Sequence, residues 1–202
     1  MMVNGYFILS VVIAYFLGNI SPSTIQAKMA GHDIKKEGSG NAGTTNTFRV
    51  LGAKAAVITL VIDIAKGVLA VLLGGWLCSS VAAYACALAV LLGHVFPVLL
   101  RFQGGKGVAT AFGAFLAIDW RMALLCLLIV AVVVLLSRYV SLGSLTAAIA
   151  CPFLCMWLEP GFVPYGVVMA LIVIFKHRSN LMRLVRGEEN KLNFHKRDRK
   201  GE

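Results

Sequence analysis

Three polar stretches interrupt an otherwise apolar sequence, and the first, between residues 33 and 49, is rich in glycine and hydrogen-bond donors. Glycine lets backbone N–H groups approach an anion closely and accepts the positive φ angles of an anion-binding turn. Arg49 adds a guanidinium fork that matches phosphate oxygens. The pattern G-x-G-x-x-G is present, but a dinucleotide-binding interpretation fails because a charged segment, not a buried strand, precedes it. The phosphate-binding candidates are Gly38, Ser39, Gly40, Asn41, Gly43, Thr45, Asn46 and Arg49.

The second polar stretch places Gly-Gly-Lys-Gly directly before an apolar run. A helix that begins there favours negative charge at its N-terminus, and Lys106 supplies a point charge. An ATP-binding loop is excluded because no glycine lies five residues before Gly105, and Gly107 stands where Ser or Thr is needed. The stretch therefore predicts a second anion site, with a flexible hinge as the alternative. Its candidate residues are His94, Gly104, Gly105, Lys106 and Gly107.

The third polar region joins Ser141, after one apolar run, to His177 and Asn180, after the last one. His177 and Asn180 are three residues apart, so on a helix they share one face. A histidine at the membrane interface can act as a general base, with Asn180 orienting it or the substrate. The alternative is a solvated histidine with no chemical role. Ser141 is a substrate-binding candidate.

Asp63 and Lys66 lie near the middle of the second apolar run, again three residues apart. Charged residues within a membrane are costly and usually functional. Because this pair is mutually neutralising, the sequence leaves open a structural ion pair that braces the site and a direct role.

Several catalytic signatures are absent from the sequence. It has no G-x-S-x-G, no H-E-x-x-H and no histidine followed five residues later by aspartate. The five cysteines form no C-x-x-C pair and accompany no histidine cluster, so they are expected to be small apolar filler. We therefore expect no covalent nucleophile, no bound metal and no cofactor.

The composition predicts an integral membrane protein. Of 202 residues, 59% are hydrophobic and 14% charged, with a mean hydropathy of +0.83. Soluble domains carry about 45–50% apolar and about 25% charged residues. A net charge of +10 would suggest nucleic acid in a soluble protein. Here the basic residues occupy short gaps between apolar runs, so no nucleic-acid partner is expected.

The apolar runs predict an all-α bundle of seven transmembrane helices in one domain, residues 1–182, followed by a basic cytoplasmic tail, residues 183–202. Almost all of the 19 Lys and Arg residues then face one side, which places the N-terminus outside and the C-terminus in the cytoplasm. Five helices is the alternative if residues 108–136 enter the membrane and return. The predicted spans are Asn4–Ile25, Ala53–Trp76, Val81–Leu100, Val108–Ile118, Met122–Leu136, Leu142–Leu158 and Tyr165–Phe175.

Three motifs, in order, resemble a known family over nearly the whole chain. G-S-G-N-x-G-x-T-N-x-x-R spans Gly38–Arg49, and G-H-x-F-P followed by F-x-G-G-K-G-V-A-T spans Gly93–Thr110. R-Y-V-S-L is followed distally by H-R-x-N, which ends at Asn180. Together they resemble the acyl-phosphate:glycerol-3-phosphate acyltransferases, bacterial inner-membrane enzymes of phospholipid synthesis. Lys35 and Ser179 depart from the family, which often has arginine and glutamate there.

The resemblance implies transfer of a fatty acyl group from acyl phosphate to the sn-1 hydroxyl of glycerol 3-phosphate, the first step of phospholipid synthesis. The products would be lysophosphatidate and phosphate, formed by direct attack without an acyl-enzyme. The implied partners are the two substrates and membrane lipid, at a site on the cytoplasmic side, and a monomer is assumed. The alternative is a membrane transporter of a phosphorylated metabolite. The implied catalytic residues are Ser39, Arg49, Lys106, His177 and Asn180.

Overall fold

The computed structural model describes residues 5–192, and every regular element within them is helical, as predicted. Residue 4, the first of the predicted run Asn4–Ile25, lies outside the described residues. Residues 193–202, half of the predicted basic tail, also lie outside them. Two short 3₁₀ turns, Val98–Leu100 and Pro160–Phe162, accompany the α-helices. The α-helices are α1 (Gly5–Asn19), α2 (Pro22–Met29), α3 (Thr44–Leu51), α4 (Ala53–Leu77), α5 (Ser80–Val95), α6 (Val108–Ile118), α7 (Trp120–Ser137), α8 (Val140–Leu158), α9 (Val163–Lys176) and α10 (Arg178–Val185).

The helices make this chain a multi-pass membrane protein. Five described spans are long and apolar enough to cross a bilayer: α1 with α2, α4, α5 with its following turn, α7, and α8. A sixth is formed if α9 and α10, which are bent by 55° relative to each other, count as one span. The remaining apolar helix, α6, has 11 residues, fewer than the roughly 20 that cross the hydrocarbon core. The seventh span therefore stays a prediction.

Large apolar side chains cover the outside of the bundle, whereas small residues fill its helix contacts. Trp76 and Leu136 are 84% and 83% exposed, which suits contact with lipid chains. Between α1 and α5, a Cβ at Gly93 would clash with the carbonyl oxygen of Tyr15. Between α4 and α6, a Cβ at Gly113 would clash with the carbonyl oxygen of Ile64. Close approach through small residues is the usual way in which membrane helices pack.

The polar stretches gather at one end of this bundle. The α2–α3 connection lies beside the end of α5 and the start of α6, and the start of α8 and the end of α9 complete the ring. Gly107 precedes α6 with a φ of 83°, a left-handed conformation that glycine adopts without strain. The lipid-embedded helices thus hold three loops against one another.

Candidate active site

A cavity of about 500 Å³ opens among these loops and continues between the helices. Its polar part is lined by residues of all three polar stretches, although they lie far apart in the sequence. The predicted residues that line it are Ser39, Asn41, Gly43, Thr45, Asn46, Arg49, His94, Lys106, Gly107, Ser141, His177 and Asn180.

Asn46 shapes the first loop from within. Its Oδ1 accepts a hydrogen bond of 2.7 Å from the backbone N–H of Ser39. Its Nδ2 donates to the carbonyl oxygens of Ile34, at 3.2 Å, and Glu37, at 3.0 Å. The turn at Gly38, whose φ is 61°, leaves room for this amide. Asn46 therefore braces the loop, while its neighbours present their side chains to the cavity.

The other two glycines of the first loop, Gly40 and Gly43, set its backbone conformation. Gly40 has a φ of 69° and lines a second, smaller cavity of about 230 Å³ beside the main one. Gly43 has an extended backbone and accepts the first hydrogen bonds of α3, so it begins that helix. Ser179 and four cationic side chains also line the smaller cavity, which is therefore strongly basic. Its lining residues are Ser39, Gly40, Asn41, Gly104, Lys106, Lys176, Arg178, Ser179 and Arg183.

The second loop is fastened to both the end of α5 and the first loop. The N–H of Gly105 donates to the carbonyl oxygen of His94 at 3.1 Å. A side chain at position 105 would clash with the imidazole of His94, so the loop needs glycine there. Lys35, from the first loop, donates through Nζ to the carbonyl oxygen of Gly104 at 3.3 Å. These contacts fix the backbone immediately before Lys106.

Asn180 connects Lys106 to the carboxylate of Glu189, a residue of the predicted basic tail. The Nζ of Lys106 donates to Oδ1 of Asn180, and Nδ2 of Asn180 donates to Oε1 of Glu189 at 2.7 Å. Ser141 donates to the same Oε1 at 2.9 Å, and Arg183 donates to Oε2 at 2.7 Å. Glu189 therefore belongs to the site. The available signal was an acidic pair, residues 188 and 189, in an otherwise basic segment.

The electrostatics of the site follow from burial of several charges together. Burial, with the positive charges of Arg183, Arg49 and Lys176, lowers the pKa of Lys106 to about 8 against the opposing effect of Glu189. Burial also lowers the pKa of Lys35 to about 8, assisted by Lys176. Burial alone would raise the pKa of Glu189, but hydrogen bonds from its three neighbours outweigh it and hold that pKa below the usual value.

His177 is buried at the end of α9, and its Nδ1 lies 2.8 Å from the carbonyl oxygen of Val173. A carbonyl only accepts, so Nδ1 carries the proton and Nε2 is left with a lone pair. The sequence predicts that Asn180 orients this ring or the substrate. In the structure the carbonyl of Val173 orients the ring, because the amide of Asn180 bonds Lys106 and Glu189.

The inner part of the cavity is an apolar arm between α6, α7, α8 and α9. Small residues on α8 and α9 make room for it, and aromatic and aliphatic side chains of α6 and α7 face them. Such an arm suits a long unbranched apolar chain. Its lining residues include Phe112, Phe115, Cys126, Leu127, Val130, Ala147, Ala148, Cys151, Met169, Ala170 and Val173.

The predicted ion pair is confirmed at the edge of the cavity. Nζ of Lys66 lies 2.8 Å from Oδ1 of Asp63, and both side chains are buried. Within residues 5–192, no group of three or more His, Cys, Asp or Glu residues is placed to hold a metal ion.

Known proteins share this sequence and this fold. The family model for glycerol-3-phosphate acyltransferase matches residues 8–187. The glycerol-3-phosphate acyltransferase of Thermoanaerobacter sp. (strain X514) is 41% identical over 190 residues, 93% of this chain and 96% of the relative. That of Geotalea daltonii is 44% identical over 186 residues, 91% of this chain and 96% of the relative.

Two solved structures of PlsY (YgiH), an integral membrane glycerol 3-phosphate acyltransferase, are similar to the chain at 35% identity. Each comparison covers 94% of this chain and 96% of the other. The TM-score is 0.90 for the glycerol 3-phosphate form and 0.87 for the lysophosphatidic acid form. With the family model matching most of its length, the chain belongs to the glycerol-3-phosphate acyltransferase family.

Proposed function

We propose that this protein transfers a fatty acyl group from an acyl phosphate to the sn-1 hydroxyl of glycerol 3-phosphate and releases lysophosphatidate and phosphate. The observation that carries the proposal is one cavity with a cationic, donor-rich mouth and an apolar arm. The mouth suits the phosphate groups of both substrates, and the arm suits the acyl chain. The names of the relatives and of the two PlsY structures support the acceptor and the product.

The reaction needs no enzyme nucleophile because an acyl phosphate is a mixed anhydride and already activated. The glycerol hydroxyl oxygen attacks the acyl carbonyl carbon, the bond from that carbon to the bridging phosphate oxygen breaks, and phosphate leaves with the electron pair. We assign the hydroxyl proton to Nε2 of His177, since Nδ1 bonds the carbonyl of Val173 and Nε2 keeps its lone pair. An oxygen of the leaving phosphate is the other acceptor that the chemistry offers.

Different residues bind the phosphate groups of the two substrates. We assign Ser39, Asn41 and Thr45, with the N–H groups of the first loop, to the acyl phosphate, and Arg49 and Lys106 to the charge on the leaving group. The loop Gly104–Gly107, at the start of α6, holds the phosphate of glycerol 3-phosphate, an arrangement that helix N-termini favour. Lys106 lines both the main cavity and the smaller basic cavity, so we assign it to both anions.

The distribution of basic residues supports an orientation in the bacterial inner membrane. Placing the N-terminus outside, seven spans and the C-terminus in the cytoplasm puts the basic loops, and with them the site, on the cytoplasmic side. This requires α6 to cross the bilayer with the residues that flank it, or in a locally thinner region. Glycerol 3-phosphate then enters from the cytoplasm and acyl phosphate from the lipid.

The test is phosphate release by purified protein supplied with palmitoyl phosphate and glycerol 3-phosphate, with each substrate omitted in turn. We expect release that requires both substrates, with lysophosphatidate formed in equal amount. Folded protein that binds glycerol 3-phosphate but forms no lysophosphatidate would contradict the proposal. That result would favour transport of a phosphorylated metabolite, to be measured as uptake into liposomes.

A further inference from the structure

Four acceptor atoms surround the Nζ of Lys66, which has only three N–H groups, so one N–H is shared between two of them. Besides the ion pair with Asp63, its Nζ donates to the carbonyl oxygens of Gly18, at 3.1 Å, and Ile20, at 2.7 Å, where α1 ends. Its side chain is 3% exposed. A buried ammonium is tolerated only when its charge and its donors are satisfied, so these contacts fix its position.

The fourth acceptor is His94, at the end of α5. Nζ of Lys66 lies 2.8 Å from Nδ1 of His94, whereas the carboxylate of Asp63 lies 3.4 Å from the same nitrogen. An ammonium group only donates hydrogen bonds, and Lys66 lies closer to Nδ1 than Asp63 does, so this contact favours the tautomer in which Nδ1 accepts and Nε2 carries the proton. The buried pair therefore selects one tautomer of the imidazole.

The protonated Nε2 lies on the side of the ring that faces the active-site loops. It packs against Gly105, where any side chain would displace it, and His94 lines the cavity together with Ser39 and Lys106. Within residues 5–192, no hydrogen bond reaches Nε2, although the residue is 6% exposed. Because His94 lines the cavity, its Nε2–H is a donor that a bound ligand can reach.

We propose that Asp63 and Lys66 are positioning residues for acyl transfer that act through His94, whose Nε2–H donates to a substrate oxygen that becomes more negative in the transition state. This inference rests on the proposed function. A neutral donor fixed in a water-poor site stabilises developing charge without reorganisation during the reaction. The role differs from that of a structural ion pair, because what matters is which ring nitrogen carries the proton.

Two substitutions of His94 distinguish the two ring nitrogens. The amide NH₂ of His94→Gln reaches approximately to the place of Nε2, whereas His94→Asn places its polar atoms near Nδ1. We expect His94→Gln to retain far more activity than His94→Asn, with the loss in His94→Asn appearing in kcat rather than KM and amounting to about 10²–10³-fold. If the only need were an acceptor for Lys66, His94→Asn would be the better replacement, and that ranking, or equal activity, would overturn the proposal.

A second experiment tests the link from the pair to the imidazole. The double variant Asp63→Leu/Lys66→Met removes both charges together and so avoids leaving one buried charge unpaired. We expect it to lower kcat about tenfold or more in the wild-type background and to have little further effect in a His94→Ala background, because residues that act as a unit are not additive. Equal losses in both backgrounds, or no loss in either, would overturn the proposal.

Thermal unfolding in detergent is measured for each variant, so that a change in kcat is compared only among folded proteins. If the double variant does not fold, the single variant Asp63→Asn replaces it in the same two backgrounds, and the two His94 substitutions still decide which ring nitrogen acts on the substrate. The wild-type protein, assayed alongside with both substrates, separates the two proposals: absence of lysophosphatidate there contradicts the proposed function, whereas an active wild type with the wrong ranking of variants contradicts only the role of the pair.

Discussion

The hydroxyl of Ser141 donates to Oε1 of Glu189 at 2.9 Å, across 48 positions of sequence. The same oxygen accepts from Asn180 at 2.7 Å, and the other carboxylate oxygen accepts from Arg183 at 2.7 Å. One carboxylate thus ties the start of α8 to α10 and to the chain beyond it. Because Asn180 also receives a hydrogen bond from Lys106, Glu189 fixes the group that positions the lysine.

Glu189→Gln should therefore impair catalysis although the carboxylate need not contact substrate. Losing a hydrogen bond to a charged group costs about 1.5–3 kcal/mol, which would correspond to about a 10–100-fold fall in kcat/KM if it appears fully in the transition state. The matched control is Glu188→Gln, one residue earlier and exposed to solvent, which should leave kcat/KM unchanged. Equal effects of the two substitutions would contradict the role given to Glu189.

Arg49 lines the cavity from α3, so Arg49→Ala should remove a charge from the anion site without disturbing the bundle. We expect turnover to fall by about 10²–10³-fold, the usual loss for one charge-stabilising donor. Arg49→Lys should recover part of it, because lysine restores the charge but not the two-pronged donor. Lys54→Ala is the control: this cation is exposed on the first turn of α4 and lies outside the cavity lining. A folded Arg49→Ala protein with full activity would refute the assignment.

The helices were predictable because a helix that crosses the lipid core needs a run of about 20 mostly apolar residues. The predicted span Ala53–Trp76 corresponds to α4, Ala53–Leu77, within one residue. The first predicted span is one span made of two helices, because Ser21 caps a new helix and Pro22 occupies its first turn. Hydropathy does not register such a break, because it averages over a window of residues and does not detect a capping hydrogen bond such as that of Ser21.

The site was predictable to the level of which loops meet, and no further. Placing the basic stretches on one side brought the three motifs together, as the cavity confirms. The pairing of Lys66 with His94, and of Ser141 with Glu189, depends on how α4, α5 and α8 are rotated and packed. That geometry is set by close contacts between small residues, which a single sequence shows only as scattered glycines and alanines.

The lowered pKa of Lys106 predicts how activity depends on pH. The free enzyme loses the positive charge of this lysine as pH rises through about 8, so kcat/KM should fall above that value. A bound phosphate favours the charged lysine, so kcat should fall only at higher pH. Assays at each pH are corrected for spontaneous hydrolysis of acyl phosphate.

Substitution identifies the lysine responsible, because Lys35 also has a pKa of about 8. Lys106→Arg should move the alkaline fall in kcat/KM beyond the measured range, since arginine stays charged. Lys35→Arg should leave the fall where it is, since Lys35 bonds the carbonyl of Gly104. A fall that moves with Lys35→Arg and not with Lys106→Arg would contradict the charge-neutralising role of Lys106.

The apolar arm predicts how the protein selects its acyl donor. Ala148 lines the arm from α8, where a leucine side chain would occupy space that we assign to the acyl chain. Ala148→Leu should therefore shift the preference toward shorter acyl phosphates, with KM rising most for the longest donors. The measurement is kcat/KM over a series of saturated acyl phosphates of increasing length, with glycerol 3-phosphate saturating.

The control for the acyl-length prediction is Ala150→Leu, the same enlargement two residues along α8 and outside the cavity lining. It should leave the order of preference unchanged. Overpacking costs about 1–3 kcal/mol of stability wherever it occurs, so a general loss of folded protein would lower the rates for all donors together. Only a change in the ratio of kcat/KM between long and short donors reports on the arm. An unchanged ratio in folded Ala148→Leu would place the acyl chain elsewhere, because a chain that passes Ala148 must meet the added carbon atoms.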